Sequence, residues 1–400
     1  MSFPENNEAY ATCLLAEARQ RTLDGWELPH SGSTTSAPSK IRKVGVIGAG
    51  VMGSGIAQWC AACGYEVVLR DMQPEFLERG MDVMRGIFAG SVKREKCTEQ
   101  ESEASLASIT TTTAWDGFAE CDVVIEAIVE DVAVKQTLFH ELAGIVRPDA
   151  LLVSNTSALP LEEVARGVSH PERVLGLHFF NPVGRMPLVE LIVGKATSAE
   201  TALRGLDFVK GLKKSSVICR SSPGFLVTRV LFFYLNEACR LREEGVATES
   251  IDAAMHRWGW PMGPMRLIDE VGVDVTAFIF GELAHYFPDR FQRSGICTRL
   301  LGLELKGRKN GASSGFYVYE GRESAVNTQI AELQPESTDL ADAESIQARL
   351  MGVMIAEARR CLDEGVVQAP EDVDFALLSG AGFPPARGGL MRWASEEGLR

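Results

Sequence analysis

The chain has 400 residues, a length that suggests two to four domains of ordinary size. Hydrophobic residues make up 46% and charged residues 24%, which is typical of globular proteins and excludes a disordered or collagen-like chain. The formal net charge of −14 argues against unspecific DNA binding, but a few local groups can still hold an anionic small ligand.

Several kinds of segment are not found in this sequence. It has no apolar run of about 18 residues, so we expect no membrane span. The N-terminus lacks the basic region and apolar core of a secretory signal. Nine cysteines form an odd, scattered set, which predicts reduced thiols and a cytoplasmic location. No cluster of histidines and cysteines has zinc-site spacing, so no metal is expected.

Between residues 43 and 220, apolar runs alternate with helical patterns. Strands are predicted at KVGVIG, YEVVLRD, CDVVIEAI, ALLVSN, VLGLHFF and LVELIV. This alternation is typical of a mostly parallel, doubly wound sheet. Only a short loop with proline and glycine separates the last two runs, so we expect that they pair antiparallel.

Helical patterns replace the strands after residue 224, and one of them occurs twice. Segment 349–366 matches segment 229–246 in register, so that Arg229 and Glu237 recur as Arg349 and Glu357. A duplicated helical unit is the interpretation that follows. The two copies can bury their apolar faces against each other.

We therefore predict an α/β class, with a Rossmann-type doubly wound sheet followed by two related all-α domains. The predicted parts are an N-terminal arm and linker (1–40), an NAD-binding domain (41–221), a helical substrate or dimerisation-type domain (222–321), a linker (322–344) and a shorter helical repeat (345–400). The cleft between the NAD-binding domain and the first helical domain is expected to hold the substrate.

A glycine-rich motif, GAGVMG at 48–53, connects the first strand to the first helix of this domain. Gly48 permits a tight turn, Gly50 lets a pyrophosphate approach the backbone, and Gly53 allows close packing of helix on strand. Asp71 ends the next strand, where it can accept hydrogen bonds from ribose hydroxyls and repel a 2′-phosphate. The predicted cofactor contacts in this part are Gly48, Gly50, Val51, Met52, Gly53 and Asp71. NAD is favoured over NADP, although the adjacent Arg70 weakens that preference.

A serine, a histidine and a glutamate form the second candidate constellation. Ser157 follows the strand ALLV at the sheet edge where open α/β sheets bind ligands. Glu190 lies twelve residues after His178, so neighbouring strands would bring the two side chains face to face. The carboxylate would then fix the imidazole tautomer and increase its basicity. His178 could remove an alcohol proton while hydride leaves the same carbon, with Ser157 and Asn181 holding the oxygen. A histidine in an apolar strand is, alternatively, often only a satisfied core residue.

Several long motifs occur in a fixed order along the chain: GVIGAGVMGSGIA, VIEAIVEDVAVK, SNTSALPL, GLHFFNPVGRMPLVELI, PGFLVTRVL and GRKNG followed by GFYVY. Together they resemble the L-3-hydroxyacyl-CoA dehydrogenases over about residues 41 to 400. The second helical repeat, with GFPPARGG, makes the chain more similar to the dehydrogenase part of multifunctional fatty-acid oxidation enzymes. No counterpart of their hydratase half is expected here, and residues 1–30 would correspond to the connector behind it.

The resemblance implies oxidation of (S)-3-hydroxyacyl-CoA to 3-ketoacyl-CoA with NAD, in fatty-acid β-oxidation. His178 matches the family's catalytic base and Glu190 its orienting partner, while Ser157 and Asn181 match contacts to substrate and nicotinamide. The remaining matches are Glu130, Lys135 and Lys309 as cofactor contacts, Arg94 near the CoA phosphates, and Thr228 on the substrate side. Thr228 stands where the family has asparagine, which can alter rate or chain-length preference.

Two other functions stay open at this point. One is a related enzyme, either a 3-ketoacyl-CoA reductase or a dehydrogenase of another hydroxy acid. The other is a low-activity cofactor-binding subunit of a β-oxidation assembly, with hydratase or thiolase partners. The second repeat can cover the surface that dimers of the family use, so both a monomer and a homodimer are compatible with the sequence.

Overall fold

A computed structural model describes residues 6–17, 22–29, 40–308, 313–321, 323–333 and 341–399. The described residues belong to two compact units. One unit is Leu14–Ser222, and the other combines Pro223–Arg400 with Met1–Cys13. Helix α1 (Asn7–Glu17) spans the N-terminal boundary between them.

The unit Leu14–Ser222 contains an eight-stranded sheet in the order β3-β2-β1-β4-β5-β6-β7-β8. The strands are β1 Lys43–Ile47, β2 Glu66–Arg70, β3 Ile109–Thr112, β4 Val123–Glu126, β5 Leu151–Ser154, β6 Val174–Phe179, β7 Leu188–Val193 and β8 Ser215–Arg220. All neighbours pair parallel except β6 and β7, which pair antiparallel as predicted. The Rossmann-type prediction is confirmed. The two edge strands, β3 and β8, were not predicted.

Helices cover both faces of this sheet. They are α2 Val51–Ala62, α3 Pro74–Lys93, α4 Glu99–Ala107, α5 Val132–Ile145, α6 Leu161–Val164 and α7 Ala199–Gly211. Successive strand residues enter different cores: Val67 and Leu69 of β2 join one apolar cluster, while Val68 joins the other. Burial on both faces explains why the central strands are continuous apolar runs rather than alternating patterns.

The second unit is mainly helical. Its elements are α8 Val227–Glu243, α9 Thr248–Trp258, α10 Pro264–Val271, α11 Val273–Tyr286, α12 Ile296–Gly302, the antiparallel hairpin β9 Tyr317–Glu320 and β10 Glu323–Val326, α13 Thr328–Leu333, α14 Ala343–Asp363, α15 Pro370–Gly380 and α16 Leu390–Glu396. The stretch 322–344, expected to be a linker, thus carries β10 and α13. Among the described residues, no helix combines the length and apolarity that a membrane span needs.

The two copies of the sequence repeat pack against each other through α8 and α14. Arg229 Nε lies 2.6 Å from Glu357 Oε1, and the equivalent Arg349 Nε lies 2.6 Å from Glu237 Oε1. Reciprocal pairing of equivalent residues is the pattern of a two-fold interface. Here both halves of that interface belong to one chain.

A second correspondence between the repeats involves a buried aspartate. Asp252 accepts hydrogen bonds from two backbone N–H groups near the start of α10 and from the Tyr317 hydroxyl. Asp374 likewise accepts hydrogen bonds from two backbone N–H groups near the start of α16 and from a tyrosine hydroxyl, but this tyrosine is Tyr10 of α1. Burial raises the pKa of each carboxyl to about 6. The N-terminal helix α1 therefore supplies the tyrosine that binds the buried aspartate of the second repeat, and the β9–β10 hairpin supplies the equivalent tyrosine to the first.

Candidate active site

The glycine motif forms a turn, and a side chain would meet different surroundings at each of its three glycines. Gly48 has φ of +101°, and a Cβ there would lie 2.5 Å from the carbonyl oxygen of Ala127. A Cβ on Gly53 would lie 1.7 Å from the carbonyl oxygen of Gly48. A Cβ on Gly50 would meet no atom within 4 Å. The fold itself requires Gly48 and Gly53 to be glycines, whereas a side chain at Gly50 would have open space.

That open space lies at the N-terminus of α2. Gly50 is the N-cap residue and, among the described residues, no side chain caps the helix, while Val51 and Met52 are its first two residues. Free N–H groups and the positive end of the helix dipole favour an anionic group here. Asp71 Oδ2 accepts a hydrogen bond of 2.7 Å from the N–H of Ala49, which places the carboxylate beside the loop. These residues fit the pyrophosphate and ribose of a dinucleotide.

His178 and Glu190 face each other across the antiparallel pair of β6 and β7. His178 Nδ1 lies 2.6 Å from Glu190 Oε2. Glu190 is fully buried and the side chain of His178 is 9% exposed. Their neighbours Phe179 and Val189 belong to an apolar cluster on one face of the sheet, so strand alternation directs the pair to the opposite face. The strands predicted from the sequence thus bring this pair together.

Ser157 lies just beyond the carboxyl end of β5, the parallel neighbour of β6. Glu130 Oε1 accepts hydrogen bonds from the N–H of Ser157 at 2.7 Å and the hydroxyl of Thr156 at 2.5 Å. The Ser157 hydroxyl is 3.4 Å from the same oxygen. Burial opposes ionisation of Glu130, but Lys135 and these hydrogen bonds outweigh it and hold the pKa of Glu130 below its ordinary value. An ionised Glu130 therefore anchors the turn that carries Ser157.

Lys135 is part of a buried cluster that the sequence analysis did not identify. Its ammonium is 2.6 Å from Glu126 Oε1 and 2.8 Å from Glu130 Oε2, and its side chain is 1% exposed. Burial alone would lower the pKa of Lys135, but the two carboxylates raise it above its ordinary value. Glu126 also accepts a 2.6 Å hydrogen bond from the Ser154 hydroxyl. The signal that could have revealed this buried cluster is the glutamate that ends the otherwise apolar strand VVIE.

The other predicted site residues lie in different settings. Asn181 is exposed in the loop after β6, and Arg94 is exposed at the C-terminal end of α3. Thr228 is 5% exposed and belongs to α8 of the other unit. Lys309 lies outside the described residues. Asn155, which belongs to the SNTSALPL motif but was not predicted as a site residue, accepts a 3.0 Å hydrogen bond from the N–H of Phe179 and ties the turn after β5 to β6.

A glycine loop at a helix N-terminus, with a histidine–carboxylate pair in the same sheet, is an arrangement typical of dinucleotide-dependent dehydrogenases. Two family models match the chain: "3-hydroxyacyl-CoA dehydrogenase, NAD binding domain" over residues 43–222 and "3-hydroxyacyl-CoA dehydrogenase, C-terminal domain" over 224–319. The chain belongs to the 3-hydroxyacyl-CoA dehydrogenase family, and residues 43–222 are its NAD-binding part.

Solved structures and curated relatives agree with this family. A 3-hydroxybutyryl-CoA dehydrogenase from Escherichia coli has a TM-score of 0.77 and 29% identity, covering 90% of this chain and 92% of its own. An (S)-3-hydroxybutyryl-CoA dehydrogenase from Ralstonia eutropha has a TM-score of 0.66 and 35% identity, covering 70% of this chain and all of its own. The fatty acid oxidation complex subunit alpha of Idiomarina loihiensis is 38% identical over 91% of this chain. The present chain spans 52% of that relative's length.

Substitutions of Gly50 and Gly53 provide a test of the NAD site. Gly50→Ala should leave the melting temperature unchanged but weaken NAD binding by about tenfold or more, because its methyl group projects into the space where the backbone must approach the pyrophosphate. Gly53→Ala should instead lower the melting temperature, because its methyl group collides with the Gly48 carbonyl. Thermal unfolding and NAD titration of both variants check this. Equal NAD affinity in Gly50→Ala and the parent protein would contradict the placement of the pyrophosphate.

Proposed function

We propose that this protein oxidises (S)-3-hydroxyacyl-CoA to 3-ketoacyl-CoA with NAD, in fatty-acid β-oxidation. The observation that carries the proposal is the buried His178–Glu190 pair, 2.6 Å apart, in the sheet whose β1–α2 turn forms the dinucleotide loop. The names of the relatives support the substrate class. The related structures from E. coli and R. eutropha are named as 3-hydroxybutyryl-CoA dehydrogenases.

In this proposal NAD, held at the loop 48–53, would supply the hydride acceptor, and the protein controls the proton. Because Nδ1 of His178 is engaged by Glu190, its Nε2 is the nitrogen that takes the proton of the substrate hydroxyl. The buried carboxylate stabilises the imidazolium that forms, and the same imidazolium returns the proton in the reverse reaction. Ser157 and Asn181 hold the substrate oxygen, and Glu130 keeps the turn of Ser157 in place.

Arg94 and Thr228 complete the proposal on the substrate side. The exposed guanidinium of Arg94 would contact the CoA phosphates, because arginine pairs well with phosphate oxygens. Thr228 would contact the substrate in place of the family's asparagine, and Lys309 would contact the cofactor. These three assignments rest on the resemblance.

The test is NADH formation with (S)-3-hydroxyacyl-CoAs of short, medium and long chain. Turnover that depends on NAD, with NADP a poor substitute, is the expected result. Thr228→Asn in the same panel measures whether this position sets rate or chain-length preference. Turnover in none of these assays, despite measurable NAD binding, would sink the proposal.

An assembly role is the second candidate, because the I. loihiensis relative is named as the alpha subunit of a fatty acid oxidation complex. The partners would be a hydratase that supplies the hydroxyacyl-CoA or a thiolase that consumes the product. A cytoplasmic location fits the nine cysteines, none of which forms a disulfide in the described residues. Co-purification with either enzyme and a native mass measurement, which distinguishes monomer from homodimer, would test these points.

A further inference from the structure

Two residues of opposite charge stand side by side where β2 ends. Asp71 contacts the dinucleotide loop through the N–H of Ala49. Arg70 immediately precedes it and is the last residue of β2. An arginine near this position is what dinucleotide sites use to accommodate the 2′-phosphate of NADP. The next five residues, 72–76, contain no lysine or arginine, so Arg70 is the basic residue whose position matters.

The side chain of Arg70 contacts the loop that follows β3, whereas Asp71 contacts the dinucleotide loop. The guanidinium carbon of Arg70 lies 3.8 Å from the ring centroid of Trp115, which is a cation–π contact. Its Nε also donates a 3.0 Å hydrogen bond to the carbonyl oxygen of Ala114. We call Arg70, Ala114 and Trp115 the Arg70 latch.

The partner of Arg70 is itself held in place by the loop after β3. Trp115 packs edge-on against Phe118, with ring centroids 5.3 Å apart and planes at 90°, and Phe118 is fully buried. The N–H of Ala114 donates a 3.0 Å hydrogen bond to the hydroxyl of Thr112, the residue that pairs with Arg70 in the sheet. The ring and the carbonyl are therefore fixed to the strand next to β2.

We propose that the Arg70 latch is a determinant of the preference for NAD over NADP. With Arg70 held by Trp115 and Ala114, Asp71 alone sets the charge beside the adenosine ribose, and a 2′-phosphate meets repulsion without a compensating cation. In the sequence, Arg70 weakens the predicted preference for NAD over NADP, and the latch restores that preference. This inference rests on the assignment of Asp71 to the ribose, but not on the identity of the oxidised substrate.

The test compares two adenosine nucleotides that differ only in the 2′-phosphate, 5′-AMP and 2′,5′-ADP, by calorimetric titration of the full chain. Asp71→Asn removes the charge but keeps an acceptor for the Ala49 N–H. Trp115→Leu removes the aromatic face while keeping apolar cover for Phe118, and thermal unfolding verifies that each variant is folded. A further Trp115→Gln variant opens the latch with a polar residue if leucine alters the packing.

The double variant Asp71→Asn/Trp115→Leu should bind 2′,5′-ADP about tenfold more tightly, relative to 5′-AMP, than Asp71→Asn alone. Adding Arg70→Met to the double variant should abolish that gain. Equal preference in the single and double variants, or a gain that survives Arg70→Met, would overturn the latch. If the parent protein did not bind 5′-AMP at all, the cofactor-site assignment and the latch would both be overturned. Normal 5′-AMP binding without hydroxyacyl-CoA turnover would contradict only the proposed function.

Discussion

His178→Ala is expected to lower kcat for 3-hydroxyacyl-CoA oxidation by about 10²–10⁴, the usual contribution of a positioned general base. The physical reason is that a buried carboxylate engages one nitrogen of the ring, while in the proposed function the other nitrogen takes the substrate proton. Glu190→Gln should lower kcat by about tenfold or more, because glutamine can accept the same hydrogen bond but carries no charge to stabilise the imidazolium. Steady-state NADH formation by both variants measures these effects.

The chain provides a matched control for this prediction. His170 and Glu172 form a second histidine–glutamate pair, with Nδ1 and Oε1 3.1 Å apart, and both side chains are exposed. His170→Asn should leave kcat and KM unchanged; asparagine is chosen because His170 has φ of +61°. NAD affinity should be unchanged in His178→Ala as well, and thermal unfolding verifies that the variant is folded. If His178→Ala kept more than a tenth of the parent kcat, the role of His178 as base would be wrong.

Arg229→Met is expected to destabilise the helical unit by about 3–5 kcal/mol, the usual cost of removing one partner of a buried ion pair. Both Arg229 and Glu357 are fully buried, with Nε and Oε1 2.6 Å apart. Without Arg229, Glu357 keeps Arg360 at 3.1 Å and Arg290 at 3.4 Å, which places the loss toward the lower end of this range. Denaturant unfolding followed by tryptophan fluorescence measures the change.

The repeat provides the control, because Arg349 occupies the equivalent position in the other copy. Its pair with Glu237 has the same 2.6 Å distance, but its side chain is 32% exposed. Glu237 likewise keeps a neighbouring arginine, Arg240 at 2.9 Å. Arg349→Met should therefore cost at least about 1 kcal/mol less than Arg229→Met, because water reaches the half-buried Arg349 and weakens its ion pairs. Equal losses in the two variants would show that burial does not set the value of these ion pairs.

The local features of this protein could be predicted from its sequence because each depends on neighbouring residues. The glycine spacing of 48–53 dictates a turn between strand and helix, and apolar runs dictate buried parallel strands. The pairing of His178 with Glu190 also belongs to this class, because a short loop between two strands leaves an antiparallel register as the simple solution.

Other features depended on segments that are distant in the chain. Tyr10 reaches Asp374 across 364 residues, and nothing in the pattern of either segment announces this contact. The burial of Lys135 between Glu126 and Glu130 depends on how β4 and α5 pack, although the motif itself was visible.

Arg70 shows the division between sequence and structure at a single residue. The sequence determined its charge and its place beside Asp71, and from these alone it weakened the predicted preference for NAD over NADP. Its contacts depend on a tryptophan that follows β3, the neighbouring strand of the sheet. The fold class, the dinucleotide loop and the histidine–glutamate pair could be read from the order of residues, because these features follow from local spacing. The folded chain was needed to learn which charges are buried or paired, because burial and pairing depend on which distant segments pack together.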